Sequence, residues 1–251
     1  MRSNYWEERL TTNQYRTGTK RMDAQLLKVY KSAVKELKAC VSDLWLKLLE
    51  DGKLSRAALY QYGRYIKIQA QINEILTHLG KQEINIINSQ LTELYESTFN
   101  LAIEELGGSA FTLLNTGPAI EVVNANFKGA TFSDRIWTRR DLLNEQLMRV
   151  ITNSAVVGKD WKRVSKDLSQ RLGVGLSDCK RLVRTETMRV LNQACINSAI
   201  ERGYKTYHVL LESSACDKCV AEYEGQTFAL NDGTPPPLHP NCKCIPVIDI
   251  D

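Results

Sequence analysis

The sequence has no long apolar run, so we expect no membrane-spanning helix. None of its apolar stretches approaches the roughly 18–20 residues that a span requires. The first eight residues also have no apolar core, and we expect no targeting peptide there. The 251 residues are 43% hydrophobic and 25% charged, which is enough to form the core of one large domain or of two smaller ones.

Histidine is scarce, with three residues in the chain, and this limits the enzymes that the sequence could encode. A nucleobase deaminase requires a His-x-Glu motif and a zinc peptidase a His-Glu-x-x-His motif, and the sequence contains neither. A histidine-dependent nuclease needs a free histidine, but His78 and His208 lie in a predicted helix and a predicted strand. Cys40, Cys179 and Cys195 lie in helical contexts, where they are expected to pack as small apolar residues. We therefore expect no catalytic residue and no small-molecule substrate.

Four of the seven cysteines and one histidine lie in the last 36 residues. Cys216 and Cys219 form a Cys-x-x-Cys pair. His239 and Cys242 form a His-x-x-Cys pair, and Cys244 follows two residues later. Ligands of this type and spacing predict a closed, structural Zn²⁺ site, which has no open position for catalysis. Five candidates compete for four positions, so either Cys242 or Cys244 is spare or replaces His239. Two disulfides or unrelated thiols are the alternatives, although a reducing cytosol argues against disulfides.

Residues 1–106 predict an N-terminal bundle or stalk of long helices. Apolar residues recur every three or four positions along residues 22–49, as on an amphipathic helix. The polar residues 1–21 are expected to form an arm or a fraying first turn. Two further helices are predicted, at about residues 55–79, with Ser55 as the cap, and at about residues 82–106.

Residues 107–132 are rich in glycine, asparagine and threonine, and we interpret them as a linker with irregular or short strand structure. The following domain, residues 133–251, is predicted to begin with helices and to end in a small module that contains strands. Its helices are predicted at about residues 134–152, 161–172 and 178–202, with glycines between them. The predicted fold class is therefore mainly α with a small α+β C-terminal module.

Residues 204–251 form the predicted C-terminal zinc module. Residues 204–211 alternate aromatic and β-branched side chains and predict a strand. Residues 220–230, which contain Glu224-Gly225, predict a β-hairpin, and residues 245–248 predict a final short strand. The apolar core of such a module is too small to hold it together, and a zinc ion would supply the missing stability.

One helix carries a carboxylate on its apolar face. Glu186 lies in line with Leu182 and Val190, where an unpaired charge would be costly. Arg184, Arg189 or an arginine of a preceding helix could neutralise it, and we predict a structural ion pair between Arg184 and Glu186. A catalytic role for this carboxylate is the less favoured alternative.

Positive charge is unevenly distributed. Residues 204–251 hold three lysines and seven acidic residues, a net charge of −4. Because the net charge of the chain is +4, residues 1–203 carry a net charge of +8. Residues 128–189 hold 14 basic and seven acidic residues. This surplus is typical of a solvated helical face, but it would also permit sequence-independent contact with DNA phosphates. The predicted phosphate contacts are Arg135, Arg139, Arg140, Lys162, Arg163 and Lys166.

The C-terminal motifs together resemble a known family. They follow one another in this order: Arg184-Thr185-Glu186, Asn192, Gly203, a strand, Cys-x-x-Cys, Glu224-Gly225-Gln226-Thr227-Phe228 and His239-Pro240-Asn241-Cys242-Lys243-Cys244. This pattern is similar to the head-morphogenesis domain of tailed-phage minor head proteins, the group named after the F protein of phage Mu. The resemblance covers roughly residues 110–249 and is most specific in the last 70. Family members often have arginine where Lys243 stands.

The resemblance implies a structural protein rather than an enzyme. Such proteins are low-copy components of the procapsid that associate with the portal vertex and act in head assembly and in genome packaging or delivery. The implied partners are the portal protein, other capsid or scaffold proteins and viral DNA. Binding to a membrane is not expected. The implied location is the virion, and the host cytoplasm during assembly. A non-enzymatic DNA-binding zinc protein is the alternative.

Overall fold

The computed structural model describes residues 3–50, 54–108, 116–231 and 233–250. This part of the chain is mainly helical and has a small three-stranded antiparallel sheet near its C-terminus, as the sequence predicts. None of the helices in the described ranges combines the length and the apolar character that crossing a bilayer would require.

The helices and strands are as follows. The helices are α1 (Ser3–Glu50), α2 (Arg56–Tyr60), α3 (Arg64–Glu105), α4 (Thr116–Val123), α5 (Phe132–Val157), α6 (Trp161–Glu201) and α7 (Asp217–Tyr223). A 3-10 turn, Gln61–Gly63, joins α2 to α3. The strands are β1 (Thr206–Leu210), β2 (Thr227–Ala229) and β3 (Ile245–Ile248).

The structure divides into two compact units, each built from separate stretches of chain. Unit 1 comprises residues 1–23, 87–132 and 180–251, and unit 2 comprises residues 24–86 and 133–179. This division differs from the consecutive domains that we predicted. The predicted linker belongs to unit 1, and it contains the helix α4 rather than irregular structure alone. Ala119 and Val123 of α4 are buried, so packing orders this helix; residues 109–115 of the predicted linker lie outside the described residues.

The first helix starts earlier than predicted. Residues 1–21 were expected to form an arm or a fraying turn, but α1 includes nearly all of them. A Cβ atom placed on Gly18 would lie 2.5 Å from a methyl carbon of Leu94, so α1 packs closely on α3 in unit 1. Arg21 also pairs with Glu93 at 2.8 Å. These tertiary contacts outweigh the polar composition of the segment.

Two predicted helix breaks are wrong, because α3 runs through Gly80 and α6 runs through Gly175. Both glycines lie within unit 2 at close helix contacts. A Cβ on Gly80 would lie 2.9 Å from the ring of Trp137, and one on Gly175 would lie 3.4 Å from Leu143. Glycine costs about 1 kcal/mol in a helix interior. At Gly80 the close packing that it permits offsets this cost, whereas a Cβ on Gly175 would make an ordinary contact.

The predicted cap at Ser55 and the predicted helix ends near residues 106 and 202 are confirmed. Gly107 and Gly203 follow α3 and α6 with φ of +76° and +82°, the left-handed conformation in which glycine ends helices. The hydroxyl of Ser55 accepts a hydrogen bond from the backbone N–H of Ala58 at 3.1 Å and caps α2. The Asp160 carboxylate accepts one from the third residue beyond it at 3.0 Å, at the start of α6.

The sheet has β1 at its centre, with β2 and β3 antiparallel on either side. The predicted strands at residues 204–211 and 245–248 are confirmed. The predicted hairpin at residues 220–230 is wrong, because its first half belongs to α7 and its second half, β2, pairs with β1 instead. Helical spacing brings Cys219 and Tyr223 to the same buried face, whereas a strand would bury alternate residues.

The sheet and α7 pack on residues from other parts of unit 1. Their buried cluster includes Ile196 and Ala199 of α6, Leu106 beyond α3, and Tyr207 of β1. The C-terminal module therefore completes its apolar core with α6, so the prediction that this core is too small applies only to the module in isolation.

Candidate metal centre

The structure brings the five predicted metal ligands together in unit 1. Cys216 and Cys219 lie at the start of α7, and the other three lie between β2 and β3. Cys216, Cys219 and His239 form one group of potential ligands, and Cys219, Cys242 and Cys244 form another. Within each group the ligand atoms lie within 4.8 Å of one another. Cys219 belongs to both groups, so the five residues form one continuous cluster.

The distances around Cys219 fit a tetrahedral ion. Its Sγ lies 3.3 Å from His239 Nε2 and 3.7 Å from Cys242 Sγ. A Zn–S bond of about 2.3 Å places two tetrahedral thiolates about 3.8 Å apart, whereas a disulfide is about 2.05 Å long. All seven cysteines, which lie in the described ranges, are free thiols. These two distances are compatible with ligands that share one metal ion, and none of the described cysteines is joined by a disulfide.

His239 is oriented as a metal ligand. Its Nδ1 lies 3.0 Å from the carbonyl oxygen of Pro240. Because a carbonyl only accepts hydrogen bonds, Nδ1 carries the proton and Nε2 keeps a free lone pair. Nε2 lies 3.3 Å from the Sγ atoms of both Cys216 and Cys219. A second ring nitrogen held by a backbone oxygen is typical of metal-binding histidines.

The thiols differ in their acidity. The Cys244 thiol donates a hydrogen bond to Cys242 and lowers the pKa of Cys242 to about 5. Burial raises the pKa of Cys219 to about 12, and the hydrogen bond to Cys242 raises the pKa of Cys244. A backbone hydrogen bond also lowers the pKa of Cys216. Without a metal, the acidic thiol of Cys242 therefore lies between the less acidic thiols of Cys219 and Cys244. A divalent ion would have to displace the remaining ligand protons.

Two buried residues of α6 hold the cysteine- and histidine-bearing loop. The Asn192 amide donates to the carbonyl oxygens of Pro236 at 2.8 Å and Cys244 at 3.1 Å. The Thr185 hydroxyl accepts the backbone N–H of Asn241 at 3.2 Å. The sequence assigned no such role to these residues. Their spacing of seven positions places both on one helix face, and this spacing was the feature of the sequence that could have indicated a shared role.

Glu186 is buried, as predicted, but its partner is Arg189 rather than Arg184. Arg189 Nε lies 2.7 Å from the carboxylate, while the Arg184 side chain is exposed. Arg189 also donates to the carbonyl oxygens of Val122 and Val123 at 2.7 and 3.0 Å. It thus satisfies the C-terminal carbonyls of α4 and the Glu186 charge together.

In unit 2, Arg140 is buried and cannot contact phosphate, which corrects one predicted DNA contact. Its guanidinium bonds Glu83, with Nε 2.9 Å from Oε2, and it also donates to the Tyr30 hydroxyl. Glu83 is fully buried and itself accepts from Tyr30 at 2.7 Å. This group is a structural network that the hydrophobic pattern did not reveal. Arg139 is half-buried and donates to the carbonyl oxygen of Asp178 at 3.0 Å.

Three of the remaining predicted phosphate contacts are exposed. Lys162, Arg163 and Lys166 are exposed on the first turns of α6. Arg163 lies 3.4 Å from Asp160, a contact on the surface. Arg135 is half-buried. Phosphate binding by these four side chains stays a prediction.

The fold and the cluster define a class of protein: a mainly helical chain whose C-terminal module is assembled around cysteines and a histidine. Residues 145–247 match the family model described as Phage Mu protein F like protein. The chain is also similar to the "Minor head protein GP7" of Bacillus phage SPP1, with 24% identity over 204 residues. That match covers 78% of this chain and 65% of the phage protein. No solved structure matches the chain. These matches confirm the predicted resemblance to Mu F-like minor head proteins.

Proposed function

We propose that this protein is a structural, non-catalytic component of a tailed-phage head that acts in head assembly. The matched residues 145–247 support this proposal, because they contain the whole cluster and the α6 residues that hold it. The buried bonds from Asn192 and Thr185 to the cysteine-bearing loop give those residues a structural purpose. The match to the minor head protein of phage SPP1 extends the similarity towards the N-terminus.

Within the head, we place the protein at the portal vertex, with the portal protein and other capsid or scaffold proteins as its partners. There it would act in genome packaging or delivery. It would be present in the virion, and in the host cytoplasm during assembly. The family resemblance supports this placement. It is more specific than the similarity to a minor head protein, which concerns the phage head as a whole.

Mass spectrometry of purified procapsids and virions tests both levels of the proposal. We expect the chain in these particles at far lower abundance than the major capsid protein, with chemical cross-links to the portal protein. Absence from both particles would overturn the head assignment. Presence with cross-links only to the major capsid protein would overturn the portal placement alone.

The proposed role includes one structural Zn²⁺ in the C-terminal module. The ligands that we propose are Cys216, Cys219, His239 and Cys242. The contacts of 3.3 and 3.7 Å at Cys219, and the position of His239 Nε2 between two thiols, support this set. Cys242 shares its group with Cys219 and Cys244 rather than with Cys216 and His239, so Cys219 would link the two halves of the set. Cys244 would then act by hydrogen bonding to Cys242. Bound zinc would cross-link the start of α7 to the loop that precedes β3.

DNA binding is a second candidate function, and the exposed basic residues at the start of α6 favour it. Lys162, Arg163 and Lys166 lie within five positions and all reach solvent. If each neutralises one phosphate, the logarithm of the binding constant should fall with the logarithm of salt concentration with a slope of about −2.7. Binding titrations on DNA duplexes of unrelated sequence measure this slope. A salt-independent or sequence-selective complex would contradict this candidate.

A further inference from the structure

A recess in unit 1 lies beside the proposed metal site. Its volume is about 480 Å³, within the range of about 300–1,000 Å³ that is usual for ligand-binding sites. Helix α1 forms one wall, and α6 and the loop between His239 and Cys244 form the others. The lining residues that matter here are Tyr15, Lys20, Asp23, Arg184, Asn241 and Lys243.

Three cations in this recess have no ion-pair partner in the part of the chain that the structure describes. Lys20, Arg184 and Lys243 are all exposed, and among the residues that the structure describes none forms an ion pair with them. The acidic lining residue, Asp23, is paired with Lys180 at 3.4 Å. The lining therefore carries a net positive charge even with the carboxylates of Asp23 and Glu212 nearby, and a bound anion would relieve the mutual repulsion of the cations.

The other walls suit a peptide. Tyr15 is half-buried and offers an aromatic face. Burial raises its pKa, the nearby charge of Arg184 lowers it, and the carboxylates of Asp23 and Glu212 raise it further. The exposed amide of Asn241 can both donate and accept hydrogen bonds, as a peptide backbone requires. Arg184 offers a planar fork of donors that matches a carboxylate.

A DNA backbone fits less well. The three cations line one concave recess, whereas a duplex presents a convex surface with regularly spaced phosphates. The Asp23 carboxylate also belongs to the lining, so phosphates spaced at every nucleotide would place one of them beside an acid that is only partly neutralised by Lys180. An acidic peptide carries its charge on separate side chains, so it can place carboxylates beside the cations and neutral backbone beside Asp23.

We propose that this recess binds an acidic peptide segment of a partner protein, whose carboxylates contact Lys20, Arg184 and Lys243. The site would thus be a docking point for a protein partner. It is distinct from the zinc site and does not depend on the head-assembly role.

Fluorescence anisotropy with the full-length protein and a labelled hexaglutamate peptide tests this proposal. Arg184→Gln and Lys20→Gln should each weaken binding about tenfold, the effect of losing a hydrogen bond to a charged group. Lys162→Gln is the matched control, because it removes an exposed lysine of α6 outside the recess, and it should leave affinity unchanged. A hexaglutamine peptide should not bind. Circular dichroism of each variant verifies that it is folded, and Lys20→Gln serves if Arg184→Gln is not.

Three results would overturn the proposal. The wild-type protein could fail to bind hexaglutamate. All three variants could weaken binding equally, which would indicate attraction to the overall charge of the protein. Arg184→Gln and Lys20→Gln could weaken binding of a short DNA duplex without affecting hexaglutamate, which would make the recess a phosphate site.

Discussion

Replacing Cys219 with serine should abolish stoichiometric zinc binding. Cys219 is fully buried and its Sγ contacts both His239 and Cys242, so it joins the two halves of the proposed site. A serine hydroxyl is a poor zinc ligand, and a thousandfold weaker affinity would remove about 4 kcal/mol of stabilisation. For a chain of this size each kcal/mol lowers Tm by about 2–4 °C. We therefore expect the Tm of the zinc-loaded protein to fall by about 8–16 °C.

Elemental mass spectrometry gives the zinc content per chain, and calorimetry gives the Tm. Cys40→Ser is the matched control, because Cys40 is a half-buried cysteine of α1 in unit 2 and is not a member of the cluster. It should retain one zinc per chain. The reasoning would be refuted if the reduced wild-type protein bound no zinc, or if Cys219→Ser retained a full equivalent with an unchanged Tm.

Four further predictions concern the ligand set, its pH dependence and two buried networks. Cys242→Ser should lose zinc whereas Cys244→Ser should retain it, as measured by zinc content; the opposite result would make Cys244 the fourth ligand. Zinc affinity should rise with pH, because burial raises the pKa of the Cys219 thiol and zinc must displace its proton. The expected rise, measured by competition with a chelator, is about tenfold per pH unit for each proton displaced. A pH-independent affinity would contradict this prediction. Arg140→Met should lower the free energy of unfolding by about 3–5 kcal/mol, because it leaves the buried Glu83 charge unpaired. Adding Glu83→Leu should restore part of this loss, as measured by urea titration. If the double variant recovers no stability, the ion-pair explanation is wrong. Asn192→Ala should cost about 1–3 kcal/mol for each carbonyl that loses its donor, and an unchanged urea midpoint would show that water replaces the amide.

Local chemistry was predictable wherever the controlling atoms are close in sequence. The cap at Ser55 and the helix ends at Gly107 and Gly203 depend on one side chain or on one left-handed backbone conformation. The Cys-x-x-Cys and His-x-x-Cys pairs are likewise local, and their residues do meet in the structure.

The effect of a glycine on a helix was not predictable where a residue distant in the sequence packs against it. Gly80 and Gly175 resemble helix breaks in the sequence, but both lie inside continuous helices because other helices pack against them. The same reason explains why the first half of the predicted hairpin belongs to the helix α7. Burial of Cys219 with Tyr223 selects the helical spacing, and that burial depends on α6 and the sheet.

The sequence by itself determined the ligand chemistry, the predominance of helix and the resemblance to Mu F-like minor head proteins, because each depends on residue types at short spacings. Only the tertiary structure decided which charges are available. Arg140 is buried against Glu83, Arg189 rather than Arg184 neutralises Glu186, and Arg184 lines an open recess. The cost of an unpaired charge depends on burial, and burial depends on segments that are far apart in the chain.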